Sequence, residues 1–164
     1  MSIPQSVRAS KAVAHNEQYE GEFPVAQLKR LAENGAGAGK LRARWQAGRD
    51  SAGHPQITGH IEGSVDLICQ RCLKPFAWPV AIDAQLRLVS SDREAAELLH
   101  DYEPYEVQDD QLPLAEMTED EVLLALPLMP RCKTCENSAQ SAPPQRPDEP
   151  RDPGPFAALK KLIK

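Results

Sequence analysis

The sequence predicts an α+β fold, a curved antiparallel β-meander covered by a few short helices, and three observations carry that expectation. Apolar and polar residues alternate with period 2 through much of residues 41–88. Apolar residues at helical spacing flank that region, at Val25, Leu28 and Leu31 and again within residues 113–126. The 164 residues are 41% hydrophobic but only 5% aromatic, with 9 Gly and 15 Pro and a mean hydropathy of −0.50, which suits one small core with unpacked ends.

In chain order, the first 16 residues show no sustained period. Residues 19–23 read as a short strand before Pro24, which suits a helix start. A short amphipathic helix carrying Val25, Leu28 and Leu31 follows and stops at Asn34-Gly35. The glycines at 35, 37 and 39 precede Lys40 but lack phosphate-loop spacing, and Leu41 stands where that motif needs a hydroxyl. Leu41, Ala43, Trp45 and Ala47 alternate with Arg42, Arg44 and Gln46, a strand with one apolar and one basic face. Turn residues fill 48–55, and then Ile57, Ile61, Val65, Leu67 and Cys69 mark the apolar face of a long strand. Gly59 and Gly63 share that face, which predicts bulges or curvature. Beyond Cys72 the apolar set runs Phe76, Trp78, Val80, Ile82, Leu86 and Leu88, a third long strand.

Residues 92–100 favour a helix, 105–107 a short strand, and 113–126 a second helix that is acidic early and apolar late. Six prolines among residues 136–155 predict a disordered linker, and residues 156–164 a short amphipathic helix. The expected organisation is one domain over 1–135, the linker, and that terminal helix. The longest apolar run, residues 122–129, holds eight residues with Pro127 inside, and the N-terminus lacks a secretory apolar region. A soluble cytoplasmic protein is expected.

The net charge of −5 divides unevenly: residues 1–91 carry +3, residues 92–121 carry −11, and residues 122–164 carry +3. The acidic block reads either as a solvated helix-loop-helix or as a docking surface for a basic partner, with Glu103, Glu106, Asp109, Asp110, Glu119 and Asp120 as docking candidates. Lys40, Arg42, Arg44 and Arg87, on polar strand positions, are candidates for RNA phosphate contacts. Trp45, Phe76 and Trp78 read as core, with RNA stacking the minority alternative.

The four cysteines form two C-x-x-C pairs, Cys69/Cys72 and Cys132/Cys135. Two such turns complete a tetrahedral four-thiolate site with Zn–S near 2.3 Å, so the reading is structural Zn2+ on Cys69, Cys72, Cys132 and Cys135, with free thiols or redox and iron–sulfur use as alternatives. The 59 residues between the pairs require them to meet across a folded sheet. Redox use is disfavoured because neither pair is expected to open a helix. The four histidines are scattered, and His60 reads as a solvated side chain on a polar strand face. No nucleophile motif or metalloprotease motif occurs, so no enzyme is expected.

Leu67-Ile-Cys-Gln-Arg-Cys-Leu-Lys-Pro-Phe76, Tyr102-Glu-Pro-Tyr-Glu-Val107, Glu119-Asp-Glu-Val-Leu-Leu-Ala-Leu-Pro127 and Pro155-Phe-Ala-Ala-Leu159 together resemble the YceD family, the large ribosomal RNA subunit accumulation proteins of bacteria and plastids. The resemblance implies a non-enzymatic role in the synthesis, processing or stability of 23S rRNA, with a large-subunit precursor as partner. Two mechanisms stay open: docking of a basic ribosomal protein or processing factor on the acidic block, or direct pre-rRNA contact through the basic strand face.

Overall fold

The computed structural model describes residues 3–98 and 102–137. The chain divides into two compact units, residues 1–132 and 133–164. The expected linker at 136–155 and the terminal helix at 156–164 lie outside the described residues, apart from the first two positions of that linker.

The first unit opens with β1 (Val7–Arg8) and α1 (Ala9–Ala14), elements that the first 16 residues do not advertise. Ala9, Ala12 and Val13 stand at i, i+3 and i+4, and all three are buried. They are too few to register as a period. Strand β2 (Gln18–Pro24) follows. The expected helix over Val25, Leu28 and Leu31 is interrupted: a 3-10 turn covers Val25–Gln27, Leu28 is extended, and α2 spans only Lys29–Glu33. The break leaves all three apolar side chains buried.

Strands β3 (Gly39–Arg49), β4 (Pro55–Ile68) and β5 (Pro75–Val89) form the expected meander. After α3 (Asp92–Leu98) comes β6 (Glu103–Glu106), then β7 (Gln111–Leu112) and α4 (Leu114–Ala125). The main sheet has order β2-β3-β4-β5-β6, antiparallel except that β6 runs parallel to β5. The crossover through α3 returns the chain in the direction of β5, which a hairpin could not do. β1 and β7 form a separate two-stranded ribbon.

One face of the sheet is apolar. Leu41, Ala43, Trp45, Ala47, Ile57, Ile61 and Val65 are fully buried, and Leu31, Leu112, Leu114, Met117 and Val122 join the same core. Trp45 is its largest member, and side chains of that size contribute on the order of 3–5 kcal/mol each. Its indole N–H donates to Thr118 Oγ1 at 3.0 Å, and the Thr118 hydroxyl donates onward to the Leu114 carbonyl at 2.7 Å. A polar pair buried in this way is satisfied at both ends.

No bulge forms at the strand glycines, because β4 pairs without interruption with β3 on one side and β5 on the other. Gly59 leaves room instead: any Cβ there would overlap the Trp45 ring. Gly63 has φ +146°, and a Cβ on it would overlap the Lys40 carbonyl. The expected bulge is therefore absent, and the missing side chains serve close approach instead. No helix among the described residues is long and apolar enough to cross a membrane.

Candidate metal centre and charged surfaces

The strands β4 and β5 meet at a tight turn that carries the first cysteine pair. The Cys69 N–H donates to the Lys74 carbonyl at 3.0 Å and the Leu73 N–H to the Cys69 carbonyl at 2.9 Å. The turn closes through Leu73 at φ +59°, a left-handed conformation that costs a leucine on the order of 1–2 kcal/mol. The segment after α4 reaches the same turn, where the Gln70 N–H donates to the Pro130 carbonyl at 2.8 Å. Cys132 arrives with its N–H donating to Cys69 Sγ at 3.4 Å, and its own sulfur lies 3.9 Å from that of Cys72.

The sulfurs of Cys69, Cys72, Cys132 and Cys135 all lie within 4.8 Å of one another. Four sulfurs at 2.3 Å around a tetrahedral ion would stand about 3.8 Å apart, so the donor set fits a metal of that geometry. Cys69 and Cys135 are buried, Cys132 is half-buried and Cys72 is exposed. N–H donation from Cys132, then from Cys72, lowers the Cys69 thiol to about 6, against a burial cost that opposes it. Such N–H groups favour thiolate, the form that binds metal. One expectation needs correction: residues Lys133–Asn137 are helical, so the second C-x-x-C does open a short helix. Nothing in the cysteine spacing distinguishes that turn from the first, non-helical one.

The other anticipated residues fall on two surfaces. Lys40, Arg42 and Arg44 do line the exposed face of β3, but carboxylates on both neighbouring strands oppose them. Arg42 and Arg44 both bond to Glu20, and Lys40 pairs with Glu22. Across the register, Glu20, Arg44, His60 and Asp83 form one row, and Glu22, Arg42 and Glu62 form the next. Three cations therefore meet four carboxylates, and the face expected to be basic is not. Hydrogen bonds from Arg44, then Arg42, hold the Glu20 carboxyl below its usual value, and Lys40 does the same for Glu22. His60 belongs to this network, with Nδ1 2.6 Å from Asp83 Oδ1. Arg87 is 5% exposed; it donates to Asp50 Oδ2 at 2.6 Å and lies 4.1 Å from the Tyr102 ring centroid.

The acidic residues divide in a different way. Glu119 is buried and accepts the Leu31 N–H at 2.9 Å and Arg30 Nε at 3.2 Å. Asp120 pairs with Arg30 Nη1 at 2.6 Å. Asp110 accepts the Ser10 N–H at 2.7 Å and the Ser10 hydroxyl at 2.6 Å, so it caps α1 from a distant segment. Glu103, Glu106 and Asp109 are exposed. Contact with Asp92 raises the Glu106 carboxyl, while burial, then Glu103 and Asp120, raise that of Glu121. Along the sequence the block reads as one surface, which hides these inward positions. Glu119 lies between Met117 and Val122 on the buried side of α4, the one signal that could have separated it.

A sheet covered on one face, with four thiols gathered where a strand turn meets the segment after the last long helix, defines a small α+β protein with a metal-competent cysteine knuckle. The chain belongs to the YceD family: the family described as large ribosomal RNA subunit accumulation protein YceD matches residues 57–163. It is also 31% identical, over 135 residues, to the large ribosomal RNA subunit accumulation protein YceD of Haemophilus influenzae, an alignment covering 79% of this chain and 76% of that protein. No solved structure matches it significantly.

Proposed function

We propose that this chain is a non-enzymatic, cytoplasmic factor of large-subunit assembly that supports synthesis, processing or stability of 23S rRNA by docking a basic ribosomal protein on its acidic block. Family membership supports the subunit, and the strain within the block supports the mode. Asp92 beside the exposed Glu106 raises the Glu106 carboxyl, and burial, then Glu103 and Asp120, raise that of Glu121. A cationic partner relieves that repulsion, so docking gains more here than on a surface already neutralised. The alternative of RNA contact through the β3 face is less favoured, since Glu20 and Glu22 already occupy its cations.

An affinity pull-down tests the reading, comparing the wild-type chain with a variant carrying Asp92→Asn, Glu103→Gln, Glu106→Gln and Asp109→Asn. The wild type is expected to retrieve large-subunit proteins in a salt-sensitive manner and the variant at least tenfold less. Equal retrieval by both overturns the docking mode.

The four cysteines, in this proposal, hold one structural Zn2+. Four thiolates leave no open position for substrate, and the ion would supply cross-linking between the β4–β5 turn and the segment after α4, with apparent binding free energy on the order of 10 kcal/mol. Metal analysis of protein purified without added zinc is expected to give one ion per chain, and chelator to lower the melting midpoint. A stoichiometry near zero with unchanged melting in chelator overturns it.

A further inference from the structure

We propose that the tip formed by the turn at residues 69–74 and the segment at 130–132 is an RNA-phosphate docking surface, with Lys74 and Arg131 as its contacts. The inference rests on the rRNA role above but adds a second surface of opposite charge.

Residues 67–75 and 127–135 contain Arg71, Lys74, Arg131 and Lys133 and no acidic residue. Elsewhere in the described fold cations are largely matched: Arg8 with Asp110, Lys11 with Glu17, Arg30 with Asp120, Lys40 with Glu22, Arg42 with Glu20 and Arg87 with Asp50. Lys74 and Arg131 are exposed and form no ion pair among the described residues.

The two segments are fixed to each other by the Gln70–Pro130 and Cys132–Cys69 hydrogen bonds, so Lys74, whose carbonyl accepts the Cys69 N–H, and Arg131, between Pro130 and Cys132, belong to one tip. Exposed apolar residues flank them along the chain: Leu73 is 74% exposed on its left-handed residue, Leu128 is fully exposed and Met129 is 64% exposed. The left-handed backbone at Leu73 holds that side chain outward, the kind of strained position that clusters at functional sites. Cations that position a phosphate backbone, beside apolar groups that meet base edges, suit RNA. The acidic block repels the same phosphates, which among the described residues favours this tip for RNA.

The test is fluorescence anisotropy with transcribed 23S rRNA fragments and the full chain, titrated between 50 and 200 mM salt. Lys74→Glu/Arg131→Glu is expected to bind at least tenfold more weakly, with a salt slope reduced by about 2, while Arg42→Gln/Arg44→Gln stays within twofold of wild type. Melting midpoint and metal content are measured on each variant, and Lys74→Gln/Arg131→Gln replaces the charge swap if that variant unfolds. Unchanged affinity in the tip variants, equal loss in the sheet variant, or no binding by wild type at micromolar protein overturns the inference. Binding of an acidic protein at the tip that RNA does not compete away overturns it too. If wild-type chain still retrieves large-subunit components in any of those cases, only the tip assignment fails; if it retrieves none, the rRNA reading fails with it.

Discussion

The exposed face of the sheet and the acids around Glu106 and Glu121 hold their carboxylates in opposite electrostatic surroundings. On the sheet, Glu20 bonds to Arg42 and Arg44, Glu22 pairs with Lys40, and both carboxyls are lowered. In the acidic segment, Asp92 raises the Glu106 carboxyl, and burial, then Glu103 and Asp120, raise that of Glu121. The first surface is internally matched and gains nothing from a charged partner. The second is left with an excess that only a partner or a proton can relieve. Segment totals of +3 and −11 rank the two regions correctly by charge but miss this difference, which depends on which residues face each other across strands.

The strongest way to break the comparison is through Glu119, acidic by sequence but built into the core. Glu119→Ala strands the Leu31 N–H and removes an Arg30 partner, with an expected loss of about 2 kcal/mol in denaturant unfolding at unchanged m-value. A loss within the roughly 0.5 kcal/mol of ordinary surface changes would place Glu119 with the exposed acids after all.

A smaller effect sharpens the comparison itself. At pH 7 Glu20→Gln is expected to lower the melting midpoint and Glu106→Gln to raise it, both effects shrinking toward zero near 1 M salt. The pH dependence carries the same opposition. Glu106 and Glu121 are raised above 4.5 in the folded state, so their protonation stabilises the fold as pH falls from 7 toward that value. Glu20 and Glu22, lowered from 4.5, and Asp110, lowered from 3.8 chiefly by the Ser10 hydroxyl, contribute stability that is lost as pH falls through their folded values. A thermal midpoint that rises and then falls on acidification, with Glu106→Gln removing part of the rise and Glu20→Gln part of the fall, is the expected record. A monotonic fall from pH 7 in all three proteins would show that the two surfaces do not differ.

Much of the architecture was legible because one-face burial imposes period 2 on β3, β4 and β5, and Trp45, Ile57 and Ile61 sit where that period puts them. The pairing of the two C-x-x-C turns was legible for a chemical reason, since four thiols of matched spacing suit one ion. What the sequence could not disclose depends on distant partners. β1 and α1 are only eight residues long and owe their ends to Gln111, Leu112 and Asp110. The parallel pairing of β6 depends on a crossover that no local pattern specifies. Lys40, Arg42 and Arg44 read as basic because Glu20 and Glu22 lie some twenty residues away, and only the register of β2 brings them opposite.

The ribbon between β1 and β7 also sets a timetable for a chain made from its N-terminus. Val7 has no strand partner until Leu112 exists, and Ser10 has no cap until Asp110 does. At about 5–20 residues per second, that wait is on the order of 5–20 s, during which the consecutive hairpins of β3, β4 and β5 can form. The start of the chain is thus among the last parts to settle, and the cysteine turn on β4 waits longer still, until Cys132 and Cys135 have been made.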